Sequence, residues 1–380
     1  MTKTMGQVNL GIGFAGEYDL FIAGDICLTK ATPFIGKGIQ NIMAQAKYRI
    51  VNLECPLTGS GQAIQKTGPL LKGNPNSVNL LRDMGVDLCN LANNHIMDYG
   101  VAGIEETMVA LQRRGIDTVG VTKTLDSEPV IRMINGVRVA FVSFTENEFS
   151  TLPLDQWQAS QMDPYVQLRQ IRAAKEHSDF VLVQYHGGAE QYPYPSPGQK
   201  KYAHYLVELG ADMVVCHHSH CFSGFEVFRN KPVFYGLGNF CFPLDGRPNS
   251  WYKGLGLLIS FAGNPAVAML PLKLDINTLR LDVAVDEQEA MCSEIDEINK
   301  VILDDDLLEV KWADFCARNE YESLSAVFKP SRLRGLMIRK GLLSRDHLRN
   351  KADRVLLNYL RCETHREKLV TTIKQILGYR

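Results

Sequence analysis

The sequence predicts an α/β protein whose strands are buried on both faces between layers of helix. Three observations carry that reading: short β-branched apolar runs alternate with longer stretches of helical spacing, the runs are apolar on both faces, and polar, metal-competent side chains close them at their carboxyl ends. At 380 residues the chain exceeds the size at which one core stops growing, which predicts one large domain with an appendage. Hydrophobic residues at 45% and charged residues at 22% exclude a wholly disordered or fibrous chain.

Residues 18–25 (YDLFIAGD) and 48–54 (YRIVNLE) are strands closed by acids, whereas 77–85 (SVNLLRDMG) and 103–115 (GIEETMVALQRRG) carry helical spacing and end in glycine. Further strands are predicted at 86–95, 138–144, 179–188, 211–220 and 231–240, with helices at 165–177 and 199–210. The stretch 192–198 (YPYPSPG) is predicted to be loop, because its three prolines remove donors and fix the backbone. Two strands within 254–275 flank a Gly-Asn-Pro turn and complete the sheet region, so the core domain is expected to span 1–285 and a charged helical region 286–380. Residues 282–309 hold eleven acids and one lysine, whereas 329–380 hold fourteen Lys/Arg and four acids, and Val355, Leu356, Tyr359, Leu360, Leu369, Val370, Ile373, Ile376 and Leu377 recur at helical spacing. Amphipathic helices with solvated charge, acidic helix against basic helix, are expected in preference to a phosphate- or membrane-binding tail.

A net charge of −1, from 41 basic and 42 acidic residues, gives no global electrostatic case for nucleic acid. Nine cysteines, set mainly in apolar runs, read as reduced thiols rather than disulfide staples. Residues 1–25 lack the features of a signal peptide, and no stretch reaches the roughly 18 apolar residues of a membrane span. The expected location is cytoplasmic, the alternative being a peripheral membrane position reached through a partner. No Walker loop, dinucleotide fingerprint or zinc-ribbon spacing is present, so no nucleotide cofactor is expected.

Asp25, Glu54, Asn94 with His95, His186, and His218 with His220 all fall at or just beyond the carboxyl ends of separate apolar runs. In open α/β sheets that edge is where ligands bind, because adjacent strand ends deliver their side chains into one crevice. Oxygen and imidazole donors together favour two divalent transition ions such as Mn, Fe or Zn over calcium. Two ions about 3.5 to 4 Å apart would activate water and clamp a phosphoryl group, with Glu54 as bridge and His95 as general acid. His218 and His220, one residue apart, point the same way on an extended segment or splay toward two ions on a loop. His177, His204, His347 and His365 have no such setting and read as structural or surface residues.

The motifs GDICL, VNLECPLT, LANNHIMDYG, the run from YHGGAEQ to CHHSH, and VFYGLGNF occur in order between Leu20 and Phe242. They resemble the CapA-type poly-γ-glutamate and capsule-biosynthesis proteins, a branch of the calcineurin-like metallophosphatase superfamily. The resemblance implies a four-layer αββα arrangement, two β-sheets flanked by helices, with a dimetal site at the strand ends. It implies that Asp25 and His220 hold one ion, that Asn94, His186 and His218 hold the other, that Glu54 lies between, and that His95 is the catalytic histidine. Where the superfamily has Asp-x-His on its first strand, this chain has Cys27 two residues beyond Asp25, so the first ion loses an imidazole or gains a thiolate. Asp98 either orients His95 or caps the helix expected near Gly100. Glu190 and Asn239 are candidate substrate-binding residues, and the glycines around Asn239 also suit a strand end packed under the metal loop.

The resemblance implies a metal-dependent hydrolase, foremost a phosphoesterase, acting on a phosphorylated or polymeric substrate in capsule or extracellular-polymer synthesis. Two alternatives stand beside it. One is a non-catalytic accessory protein whose C-terminal helices dock a capsule-synthesis partner; the other is a metal-dependent hydrolase of γ-glutamyl or cell-wall peptides.

Overall fold

The computed structural model describes residues 7–10, 18–29, 33–66, 68–124, 128–151, 156–262, 265–320 and 332–343, together with Leu360 and Ile373. The chain divides into two compact units, Met1–Leu308 and Glu309–Arg380.

The first unit is built on two sheets. Among the described residues the larger runs in the order Phe34–Ile35, Arg280–Val283, Ala266–Asp275, Lys253–Ser260, Tyr18–Ile26, Ala46–Leu53, Leu88–Asn90, Asp117–Val119. Gln7–Leu10 pairs with Ala266–Asp275, and Asn239–Cys241 pairs with the end of Tyr18–Ile26. The second sheet runs Phe225–Phe228, Lys231–Phe234, Met213–His217, Phe180–His186, Val137–Thr145, Val130–Ile134. The central strands of both sheets are parallel, so their carboxyl ends lie along one edge.

Strand alternation sorts the side chains into two cores. Leu20, Ile22, Ile50, Leu257 and Met269 leave one face of the larger sheet and pack with Phe141, Val181, Val183 and Val214 of the second, while Phe21, Val51, Cys89 and Leu270 leave the other face. Across the sheet–sheet interface Tyr48 stacks on Phe141 at 5.5 Å and Phe180 meets Phe261 edge-on at 5.3 Å. The helices Lys37–Gln45, Val78–Asp83 and Gly100–Gln112 cover the outer face of the larger sheet with Ile39, Met43, Leu81, Ile104 and Leu111. Pro164–His177, Pro197–Leu209 and Gln288–Ile302 cover the second. The result is the four-layer helix–sheet–sheet–helix arrangement.

Several elements differ from expectation for local reasons. The strand expected at 86–95 ends at Asn90, because the Asn90 side chain accepts from Ala92 N–H at 2.9 Å and Asn93 from His95 N–H at 3.2 Å, turning the backbone out of the sheet. Pro197 and Gly198 open a helix rather than closing a loop: Ser196 caps it by accepting from Gln199 N–H at 3.0 Å, and proline at the first position has no helical donor to lose. The strand expected at 231–240 breaks in two around Gly238, whose φ is +66°. The hairpin within 254–275 forms, from Lys253–Ser260 and Ala266–Asp275, while Gly263 and Asn264 of its turn lie outside the described residues.

The acidic segment following residue 285 is amphipathic. Met291, Ile295, Ile298 and Ile302 recur at helical spacing and join the core of the first unit, while the acids occupy the remaining faces. In the second unit Arg332–Arg339 is helical and Trp312 stacks on Phe315. The apolar positions noted between 355 and 377 lie outside the described residues, apart from Leu360 and Ile373, which are helical. No helix among the described residues is long and apolar enough to cross a membrane.

One close approach positions the site. A β-carbon on Gly24 would stand 1.9 Å from the carbonyl oxygen of Gly238, so two backbones meet here as only glycine permits. The amide of Asp25 donates to that carbonyl at 3.0 Å, which sets Asn239 in register with Asp25.

Candidate metal centre

The register of the parallel strands builds the centre. Asn239, Asp25, Asn52 and Asn90 pair in sequence across the larger sheet, and His186 pairs with His217 across the second. Two groups of donors converge between these rows: Asp25, Glu54 and His220 form one, and Glu54, His186 and His218 the other, the ligand atoms within each group lying within 4.8 Å of one another. Both groups are buried and share Glu54. Asn94 joins the second through its Oδ1, 3.0 Å from His186 Nε2.

Glu54 shows that the donors suit a cation. It is fully buried, and neither carboxylate oxygen has a hydrogen-bond partner among the described residues; His186 Nε2 and His220 Nε2 each stand 3.5 Å from Oε1. An orphaned carboxylate in a buried pocket is costly unless something positive faces it. Burial, then the charges of Asp25 and Glu190, push its carboxyl well above the usual range. At Asp25 burial also opposes the charge, but the imidazoles of His217 and His220, each with Nδ1 3.4 Å from a carboxylate oxygen, outweigh it and hold the carboxyl well below that range.

Two of the imidazoles, His186 and His218, are kept neutral, the state in which an imidazole can bind metal. Burial, followed by the charge of His218, drives His186 well below its ordinary value, and burial with His220 lowers His218 to about 4. His218 Nδ1 lies 3.1 Å from His186 Nε2. The expected choice between an extended and a splayed segment resolves as the latter: His218 has φ of +93° and His220 of +53°, in the left-handed region rarely adopted by side chains of this size. That turn sends the two rings to different donor groups.

Neighbouring polar groups fix these donors. Asn52 Nδ2 donates to Asp25 Oδ1 at 2.7 Å and lies 3.2 Å from His186 Nδ1, tying one group to the other. Asn239 is 4% exposed: its Oδ1 meets His220 Nδ1 at 3.0 Å and its Nδ2 donates to the Trp251 carbonyl at 2.9 Å, so both ends of the amide are engaged. The ring of Trp251 lies against His220, 4.4 Å between centroids. Glu190 is exposed, and its charge is felt by Glu54 and His218.

His95 and Asp98 form a pair, Nδ1 to Oδ2 at 2.6 Å. The helix starting at Gly100 has no side-chain cap, so Asp98 faces His95 and not the helix end. Neither donor group contains Cys27. That thiol is buried with Cys55 and Cys241 on the far face of the larger sheet, and burial, then its contact with Cys55, pushes it well above the ordinary range.

Three residues of the centre escape the strand-end argument. His217, whose Nδ1 is 3.4 Å from Asp25 Oδ1, and Asn52 sit on the same strands as candidates that were identified, so register could have found them. Lys66 could not have been found that way. It lies on an irregular segment, with Nζ 2.5 Å from Asp98 Oδ1.

Comparison with known proteins gives consistent relatives. The chain is 33% identical over 227 residues to the PGA biosynthesis protein CapA of Bacillus subtilis, a match covering 56% of this chain and 58% of that one. It is 36% identical over 180 residues to the capsule biosynthesis protein CapA of Bacillus anthracis, covering 45% and 44%. The chain thus spans about half the length of these two relatives. A match of 29% over 292 residues links it to a probable polyglutamine synthesis accessory protein of Mycobacterium tuberculosis, covering 69% and 76%. Among solved structures, a 5'-nucleotidase precursor from Thermus thermophilus aligns at 16% identity with a TM-score of 0.37, covering 73% of this chain and 57% of that one. Residues 19–244, which carry every donor described above, match the model of the bacterial capsule synthesis protein family PGA_cap, and the chain belongs to that family.

Proposed function

We propose that the chain is a metal-dependent hydrolase, foremost of phosphoesters, working in the synthesis of capsule, poly-γ-glutamate or a related polymer. The observation that supports this most is the pair of buried donor groups sharing the orphaned carboxylate of Glu54, with the His95–Asp98 pair on the same strand edge. Asp25, Glu54 and His220 would hold one divalent ion of the Mn, Fe or Zn class, and Glu54, Asn94, His186 and His218 a second. Such ions, when bound, supply Lewis acidity toward a phosphoryl oxygen and lower the pKa of a coordinated water.

The remaining chemistry falls to the chain's own residues. Asp98 engages His95 at Nδ1, which leaves Nε2 as the atom that, when the ring carries a second proton, hands that proton to the leaving group. Asn239 holds the His220 ring with Nε2 turned to Glu54. Glu190 stands at the exposed rim, where it meets substrate. Eight free cysteines among the described residues fit a reducing, cytoplasmic setting.

The test combines elemental mass spectrometry of the purified chain with assays on phosphodiester and γ-glutamyl peptide substrates. About two transition ions per chain and phosphodiester turnover abolished by His95→Ala and His218→Ala are expected. Turnover unchanged in both variants overturns the assignment. Turnover of the peptide alone moves the reaction to an amide. A second reading, a non-catalytic accessory role, is favoured by Cys27 standing outside both donor groups, which leaves the first ion one imidazole short. Metal-free protein that takes up no ion, together with capture of a synthesis partner that depends on residues 286–380, would establish it.

A further inference from the structure

Lys66 presents an ammonium that the hydrolase reading does not use, buried where a charge is expensive. Its side chain is 3% exposed and that of Asp98 is fully buried. The ammonium donates to Asp98 Oδ1 at 2.5 Å and to the Asn94 carbonyl at 3.3 Å, and stands 3.2 Å from His95 Nδ1. The other oxygen of Asp98 takes the Leu71 amide at 2.7 Å as well as His95 Nδ1. The segment bearing Lys66 is thus tied to Asp98 on both sides, since the Ile64 amide also donates to the Asp98 carbonyl at 3.0 Å.

The donor count settles what the lysine does. A carboxylate only accepts, an ammonium only donates, and an imidazole nitrogen that carries a proton cannot accept. With Asp98 Oδ2 accepting at 2.6 Å, His95 carries its proton on Nδ1 and cannot accept from Lys66. Lys66 therefore acts on Asp98 and on the backbone of Asn94, bridging a candidate metal ligand to the proton-donating pair. Removing one member of a buried ion pair leaves the other uncompensated and free to turn toward a new partner.

We infer that Lys66 is a positioning residue that holds the Asp98 carboxylate, and through it fixes the tautomer and orientation of His95. Its kinetic consequence rests on the hydrolase reading; the effect on the His95 ring does not.

The experiment uses the full chain as wild type, Lys66→Met and Lys66→Arg. Nuclear magnetic resonance of ¹⁵N-histidine-labelled, metal-free protein reads the His95 tautomer, elemental mass spectrometry reads bound metal, and steady-state assays separate kcat from KM. In Lys66→Met the Nδ1–H form of His95 should give way to a tautomer mixture, metal content should stay unchanged, and kcat should fall about 10- to 100-fold with KM within about twofold. Lys66→Arg, which keeps the charge, should restore the Nδ1–H signal and part of kcat. A His95 signal unchanged in Lys66→Met overturns the inference, as does equal loss of metal, kcat and melting temperature in both variants, which would mark a merely structural lysine. If Lys66→Met does not fold, Lys66→Gln, which removes the charge but keeps a polar side chain, is read by the same signal with the same two outcomes. Wild type without turnover on any substrate refutes the hydrolase reading alone, and the His95 signal still decides the role of Lys66.

Discussion

Asn239 Oδ1 lies 3.0 Å from His220 Nδ1, which turns the opposite nitrogen of that ring toward Glu54. The direction of the ring is therefore set from behind. Asn239→Ala should weaken cation binding about 10- to 100-fold without unfolding the chain. A competition titration against a chelating dye measures this, and unchanged affinity would mean that His220 takes its orientation from elsewhere.

Cation uptake should strengthen as pH rises. Burial and the charges of Asp25 and Glu190 raise the Glu54 carboxyl above its ordinary 4.5, so the metal-free chain retains a proton there that a cation must displace. A proton released on binding means that affinity grows with pH until Glu54 ionises by itself. His218, lowered to about 4, is already neutral in that range and adds a second loss only on further acidification. Calorimetry in two buffers of different ionisation enthalpy reads the released proton, and Glu54→Gln should abolish the release together with most of the binding.

Thiol labelling should separate the cysteines cleanly. Cys316 is exposed, whereas burial pushes Cys216, Cys221 and Cys241 up to about 12 and holds Cys27 well above its usual value, with the Cys55 contact adding to it. Leaving aside Cys362, which lies outside the described residues, iodoacetamide at mildly alkaline pH should modify Cys316 first, as intact-mass analysis will show. Cys27→Ala should keep full metal content and cost about 1 kcal/mol of stability, the loss of a small buried side chain. Loss of metal in that variant would make the thiol a ligand after all.

Gly24→Ala should be among the more damaging small substitutions. The added carbon would press on the Gly238 carbonyl, which is backbone and has no rotamer to yield. Overpacking of this kind costs about 1–3 kcal/mol. Thermal unfolding measures the loss, and a melting temperature equal to wild type would show that the 236–239 segment can move aside.

The donors were readable because parallel strands end together: Asp25, Glu54, His186, His218 and His220 each close or follow an apolar run, and the sheet edge gathers them. Lys66 was not, since an irregular segment has no periodicity and its partner Asp98 lies 32 positions away. The helix Gln288–Ile302 shows a different limit. Its composition announces charge, while its stripe of Met291, Ile295, Ile298 and Ile302 announces burial, and the stripe decides where the chain packs. At 86–95 the apolar run overstated the strand, because asparagine side chains compete locally for backbone amides.

The left-handed backbone at His218 and His220 carries a consequence for how the centre is kept. Unlike the sheet edges beside it, this turn sits in a conformation that needs holding from outside. A coordinated cation would do that holding, so affinity for metal and integrity of the turn are two measures of the same free energy. Scarcity of metal would then be felt first as a loosening between residues 217 and 221, with both sheets intact. The protein would sense its metal supply through one corner of its structure.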